Sequence, residues 1–216
     1  MKNILRIRTL FKNYAGLIVF LIGMVFFRTA VADWNHVPSG SMEPTLFDGD
    51  WIWVDKTSYG PSIPFTDIRI LRFGGPERGD IITFFPPHTK DQYVKRVIGL
   101  PGDVIRIEGR DIYVNSRKLS FEPIQISEGV ETGHEIVGDG HHLIQYGTSG
   151  GLPVIRQEIM VPENRYFVLG DHRNNSADSR YWGFVEDDKV MGKVTHVAVS
   201  FSSKRNLDSR IAVPLN

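Results

Sequence analysis

Cysteine is absent from this chain of 216 residues, which excludes disulfides, thiolate-bound metals and thiol catalysis. Net charge of one sign is absent as well. The 25 Lys and Arg residues balance 25 Asp and Glu, so no basic excess points to nucleic acid, and no nucleic-acid partner is expected. There is no internal repeat, low-complexity tract or long charge block. The 7 histidines lack metal-ligand spacing, and the adjacent pair His141-His142 does not converge as ligands at helical spacing would. No metal and no cofactor is expected. Past Asp33, any helical period of ordinary length is missing too.

What is present begins at the N-terminus. Lys2, Arg6, Arg8 and Lys12 precede a segment, Tyr14 to Ala32, that is apolar apart from Arg28. Basic residues ahead of an apolar run hold the N-terminus in the cytoplasm and send the rest across the membrane. The run approaches the ~20 residues that a spanning helix needs, and Arg28 can snorkel to the interface. A cleaved signal peptide fits equally, since Ala30-Val31-Ala32 has a small-x-small pattern. Both readings export the remainder of the chain.

Short runs rich in Val, Ile and aromatics follow, and they read as strands. They are Trp51 to Val54, Ile81 to Phe85, Gln92 to Ile98, Val104 to Ile107, Asp111 to Val114, Glu158 to Val161, Tyr166 to Leu169 and Lys193 to Phe201. Turn formers such as Asp48-Gly49-Asp50 and Pro101-Gly102-Asp103 separate them. The expectation is a mostly β protein with an antiparallel sheet, not an alternating α/β one. Residues 120–155 are Gly-rich and polar with weak periodicity, and they read as part of an insertion or second lobe. The expected division is a cytoplasmic N-terminus (1–13), a membrane anchor (14–32), a catalytic β domain (33–104 and 162–216) and an inserted β-rich lobe (105–161).

Several stretches invite a chemical reading. Gly147-Thr148-Ser149-Gly150-Gly151 matches a nucleophile-elbow pattern, but Leu152-Pro153-Val154 starts no helix after it, so a glycine-rich loop is expected. Arg78-Gly79-Asp80 reads as a turn into a strand. Asn174-Asn175-Ser176 is a formal glycosylation acceptor of little weight. Pro38-Ser39-Gly40-Ser41-Met42-Glu43-Pro44-Thr45-Leu46 is more distinctive. Prolines fix φ at both ends, and Gly40 permits close backbone approach. An ordinary polar turn would look the same. In Tyr93-Val94-Lys95-Arg96-Val97-Ile98, alternation places Lys95 with Tyr93 and Val97, and Arg96 on the other face. A buried Lys95 would lose charge as desolvation lowers its pKa from ~10.4; a snorkelling lysine is the alternative. The polar run from Gly170 to Gly183 is denser in hydrogen-bonding groups than a connector requires, and Asp178 and Arg180 can pair within it.

Taken together these stretches resemble the bacterial type I signal peptidases, a family of Ser/Lys proteases. The matching blocks are Pro38 to Leu46, Arg78-Gly79-Asp80-Ile81, Tyr93 to Asp103 and Gly170 to Gly183, in the family's order, and the resemblance spans about residues 15–200. It implies Ser41 as nucleophile and Lys95 as general base. It implies an oxyanion hole from the Ser41 N–H and the Ser39 hydroxyl. Ser176 would orient the lysine, supported by Asp178 and Arg180. Val37, Met42, Leu46, Tyr93 and Val94 align with the family's substrate-pocket residues. The implied activity is removal of signal peptides from exported preproteins after a small-x-small (Ala-x-Ala) motif, without cofactor, by a single-pass enzyme of the inner (cytoplasmic) membrane. Its N-terminus would be cytoplasmic and its catalytic domain extracytoplasmic. Preproteins and the lipid bilayer are the implied partners. The resemblance also implies a retained anchor, with Ala30-Val31-Ala32 a decoy or a self-cleavage point. The family often has two membrane segments before the serine where this sequence offers one. His172 and Asn174 stand where Asn and Asp are commoner, a departure expected to touch loop packing more than catalysis. Two rival readings remain, a dedicated peptidase of a conjugation or pilus system and an inert exported β-rich binding protein. A self-cleaving repressor would need a DNA-binding domain where the apolar segment stands.

Overall fold

A computed structural model describes residues 2–61, 63, 69–137, 140–148, 155–202 and 211–215. Helix α1 (Lys2–Ala30) is followed by strands β1 (Ala32–His36), β2 (Asp50–Asp55), β3 (Ile81–Phe84), β4 (Tyr93–Gly99), β5 (Val104–Glu108), β6 (Asp111–Val114) and β7 (Arg117–Lys118). Then come β8 (Phe121–Ser127), β9 (Val130–Val137), β10 (Gly140–Tyr146), β11 (Ile155–Met160) and β12 (Arg165–Leu169). The last elements are α2 (Ser179–Trp182), β13 (Val185–Glu186), β14 (Val190–Ser200) and β15 (Val213–Pro214). Ser149 to Gly151 of the elbow-like run lie outside the described residues.

The main sheet has 8 strands, ordered β1-β2-β14-β3-β4-β12-β13 with β15 on β14. A 3-stranded sheet, β10-β9-β8, and a 4-stranded sheet, β11-β5-β6-β7, are built from the chain between β4 and β12. Every pairing between these strands is antiparallel. The weakly periodic stretch after residue 120 is therefore strand-rich. Its outermost strand, β8, is exposed on both faces and contains Pro123, as suits an edge.

Alternation divides the core. In β12, Phe167 and Leu169 pack with Ile98, Ile105 and Ile107 toward the 4-stranded sheet. Tyr166 and Val168 face the other way, with Ile82, Phe84 and Val97. A third cluster, Val37, Met42, Leu46, Ile52, Val54, Ile81, Val194 and Val197, closes the β1–β2 side. Strand β4 is thus buried on both faces, Val97 in one cluster and Ile98 in another. That is why its charged residues carry such weight.

Helix α1 ends at Ala30, and Ala32 already pairs with Asp55 in β1–β2, so the expected segment 14–32 finishes inside the sheet. Leu17, Val19, Phe20, Ile22, Val25 and Phe26 on this helix are exposed. Among the described residues no helix is long and apolar enough to cross a membrane.

The 3-stranded sheet is tied to the main body by a buried ion pair, Arg173 with Glu135 of β9. Burial alone would raise the Glu135 carboxyl, but Arg173 and His142 hold it below its ordinary pKa. Replacing Arg173 by Met leaves that carboxylate buried and uncompensated. The expected loss is about 3–5 kcal/mol in urea unfolding, with much of it recovered in the Arg173→Met/Glu135→Leu double variant.

Candidate active site

Ser41 lies in a single 3₁₀ turn, Gly40–Met42, between β1 and β2. The early N–H groups of such a turn have no partner within it. At Gly40 a Cβ would stand 2.5 Å from a Glu43 carboxylate oxygen, so any larger residue would displace that side chain. Lys95 comes from β4, on the same face as Tyr93 and Val97, and is 4% exposed. Its Nζ donates to Ser41 Oγ at 2.7 Å and to the Val94 carbonyl at 2.9 Å. Burial pushes its pKa down to about 8, against the opposing fields of Asp178 and Asp171 and with help from Arg180. The pair is therefore a hydroxyl and an amine close to neutrality, in hydrogen-bond contact. A base so placed can take the hydroxyl proton.

Ser39 Oγ stands 3.4 Å from Ser41 Oγ, beyond a normal O–H···O bond. Asp178 and Arg180 form a buried two-point pair, Nε–Oδ1 2.7 Å and Nη2–Oδ2 2.7 Å. Asp178 Oδ2 also accepts the Gly170 N–H at 3.0 Å. Ser176 departs from expectation. Its hydroxyl is buried without a hydrogen-bond partner, and the Val94 carbonyl makes the second bond to the lysine. Ser176 instead packs on Gly170, where a Cβ would lie 2.3 Å from its Oγ and 2.4 Å from the Ser41 carbonyl oxygen.

A cleft of about 740 Å³ opens over the pair, lined by Tyr93 and Val94 along with Ser39, Ser41 and Lys95. Val37, Met42 and Leu46 are not on its wall. They are 1%, 0% and 0% exposed and belong to the core cluster behind it. They hold the Ser41 turn against β2 and β14.

Other residues of the site were not singled out from sequence. Arg96 faces away from Lys95 and binds the Asp171 carboxylate through Nε at 2.9 Å and Nη2 at 2.7 Å. Thr45 Oγ1 donates to the same carboxylate at 2.5 Å. Burial alone would raise the Asp171 carboxyl, but Arg96 and Thr45 hold it below its ordinary pKa. The available signal was a basic residue at each parity of one apolar strand, which leaves one of them to be neutralised by a buried acid. His172 Nδ1 lies 3.2 Å from the Gly40 carbonyl oxygen. Among the described residues no cluster of His, Asp and Glu could hold a metal.

An NMR titration of Lys95 followed at Cε is expected to have its midpoint near 8, well below the ordinary lysine value of ~10.4. Folding lowers this pKa, so between those two values the unfolded chain binds the extra proton. Stability should therefore rise with pH across that window and be flat above it. A midpoint at the ordinary value would refute the desolvated amine.

Comparisons with known proteins give the family. The family model described as "Signal peptidase, peptidase S26" matches residues 11–199. A signal peptidase I of Buchnera aphidicola subsp. Schizaphis graminum is 34% identical over 88% of this chain and 73% of its own length. One from Pseudomonas aeruginosa is 36% identical over 81% of this chain and 67% of its own. A crystal structure of a signal peptidase I from Enterococcus faecalis shares 30% identity, with a TM-score of 0.37, over 56% of this chain and 98% of that one. The sequence matches decide the assignment: the chain belongs to the signal peptidase family, peptidase S26, and is a serine peptidase.

Proposed function

We propose that this chain is a membrane-anchored endopeptidase that removes N-terminal signal peptides from exported preproteins after an Ala-x-Ala motif, with Ser41 as nucleophile and Lys95 as general base. The observation that carries the reading is the 2.7 Å contact between Lys95 Nζ and Ser41 Oγ in a desolvated site.

The uncharged Lys95 amine takes the Ser41 proton as Oγ attacks the scissile carbonyl carbon. The oxygen that gains charge accepts from the Ser41 N–H and the Ser39 hydroxyl, donors that act most strongly in the transition state. As the tetrahedral intermediate collapses, the Lys95 ammonium returns its proton to the departing amine, the new N-terminus of the mature protein. Water, deprotonated by Lys95, then attacks the acyl-enzyme carbon. The signal peptide leaves as a carboxylate and Ser41 regains its proton.

The substrate fits as an added strand. Pairing between β4 and β12 stops at Arg96–Leu169, which leaves residues 93–95 open on that side, and β1 is the sheet's edge. Both lie along the cleft, so an extended peptide can bond the backbone there while small residues at alternate positions face Tyr93 and Val94. Asp178 and Arg180 support the loop that carries Ser176.

The anchor would be the apolar run Tyr14 to Ala32, which approaches the ~20 residues that a spanning helix needs. The basic residues before Tyr14 would keep the N-terminus in the cytoplasm and the β domain on the extracytoplasmic side.

Detergent-solubilised protein should cleave a preprotein after the second Ala of its Ala-x-Ala site. Ser41→Ala and Lys95→Ala should each lose at least ~10³-fold in kcat while remaining folded. Activity should rise with pH through about 8 as Lys95 loses its proton. Wild-type cleavage that survives either substitution would refute the dyad. No cleavage of several preproteins would refute the general peptidase.

A further inference from the structure

His172 grips both peptide groups that flank Ser41. Its backbone N–H donates to the Ser41 carbonyl at 3.2 Å, and its ring Nδ1 lies 3.2 Å from the Gly40 carbonyl oxygen. The Glu43 N–H reaches the same Gly40 oxygen at 3.1 Å. A carbonyl oxygen only accepts, so the His172 contact is a bond only when Nδ1 carries the proton. The Gln145 amide nitrogen, 3.1 Å from Nδ1, carries two protons: one reaches the Glu43 carboxylate 3.3 Å away, and the Nδ1–H tautomer requires the other to point away from the ring. Asn175 Nδ2 lies 3.5 Å away.

The Gly40 carbonyl and the Ser41 N–H belong to one planar, trans peptide. They point in opposite directions, so fixing one aims the other. Gly40 has no side chain to restrict its own rotation, which makes this peptide the freest in the turn. We propose that His172 is a positioning residue for the oxyanion hole. As the Nδ1–H tautomer it clamps the Gly40 carbonyl and so keeps the Ser41 N–H directed into the cleft, where the scissile oxygen gains charge. This rests on the serine–lysine reading and adds a residue that touches neither substrate nor lysine.

The clamp makes demands that loop packing does not. It needs a proton on Nδ1, and it acts on the transition state more than on substrate binding. A side chain that presents an N–H at the δ position replaces it, whereas one of equal size without a donor does not. Asn and Asp provide that comparison, because an Asp carboxylate would face the Gly40 oxygen with lone pairs alone.

The test begins with ¹⁵N NMR of histidine-labelled full-length protein in detergent. A protonated Nδ1 on His172 is expected, and a bare Nδ1 overturns the proposal. Preprotein cleavage is then compared among wild type, Ser41→Ala, His172→Asn, His172→Asp and His172→Leu, with folding checked by thermal melts. His172→Asn should stay within ~threefold of wild type, whereas His172→Asp and His172→Leu should lose at least ~tenfold in kcat with KM within ~twofold. Equal activity of Asn and Asp variants, or a loss confined to KM, overturns the clamp. If the Leu variant does not fold, the Asn–Asp comparison decides. If wild type itself cleaves nothing, the peptidase reading falls, and the tautomer still decides whether His172 holds Gly40.

Discussion

The Arg96 guanidinium meets the Asp171 carboxylate through two hydrogen bonds, where neither side chain reaches water. Arg96 belongs to β4, the strand that presents Lys95. Asp171 belongs to the loop whose next residue holds both peptides around Ser41. Thr45, just past the nucleophile turn, bonds the same carboxylate. A single buried pair thus joins the strand, the turn and the loop. Removing either charge would leave the other stranded, at a cost of about 3–5 kcal/mol. The distance between Lys95 and Ser41 depends on this cross-link as much as on the two residues themselves.

The catalytic loop is also held from its far side. The Gln145 N–H donates to the Asp171 carbonyl and the Arg173 N–H to the Gln145 carbonyl, both at 2.9 Å. Asn174 exchanges two bonds with Gly147, each 2.7 Å. Arg173 reaches through to Glu135 of β9. The 3-stranded sheet is therefore a backing plate for the loop, which in turn contacts the turn that carries Ser41.

Much of this was legible in the sequence, and the exceptions have physical causes. Trp51 to Val54, Ile81 to Phe85 and Tyr166 to Leu169 announced themselves because apolar strands stood between turn formers. Strand β8 did not, because with both faces exposed it carries no alternation to read. Its hairpin with β9 was encoded only in Glu128-Gly129, which adopt φ of 50° and 78°. The contact of Ser41 with Lys95 bridges 54 positions, a separation that resemblance could span and periodicity could not. Val37, Met42 and Leu46 surround Ser41 in sequence, yet nothing in composition says whether an apolar neighbour faces substrate or core. The direction of the Ser176 hydroxyl was likewise decided by packing on Gly170.

Neighbouring residues on β4 show how a lysine and an arginine on one buried strand meet different fates. Both side chains are buried, and strand alternation sends them to opposite faces. Arg96 finds a carboxylate and keeps its charge. Lys95 finds a hydroxyl and a carbonyl, neither of which neutralises an ammonium. The nearest acids, Asp171 and Asp178, favour the charged amine, but each already faces its own guanidinium. Had either acid been left unpaired, its field would have raised the Lys95 pKa toward that of an ordinary lysine and silenced the base at neutral pH. The buried arginines therefore do more than brace the loop: by occupying the carboxylates they leave desolvation as the dominant influence on Lys95, and that is the condition under which a lysine can accept a proton from serine.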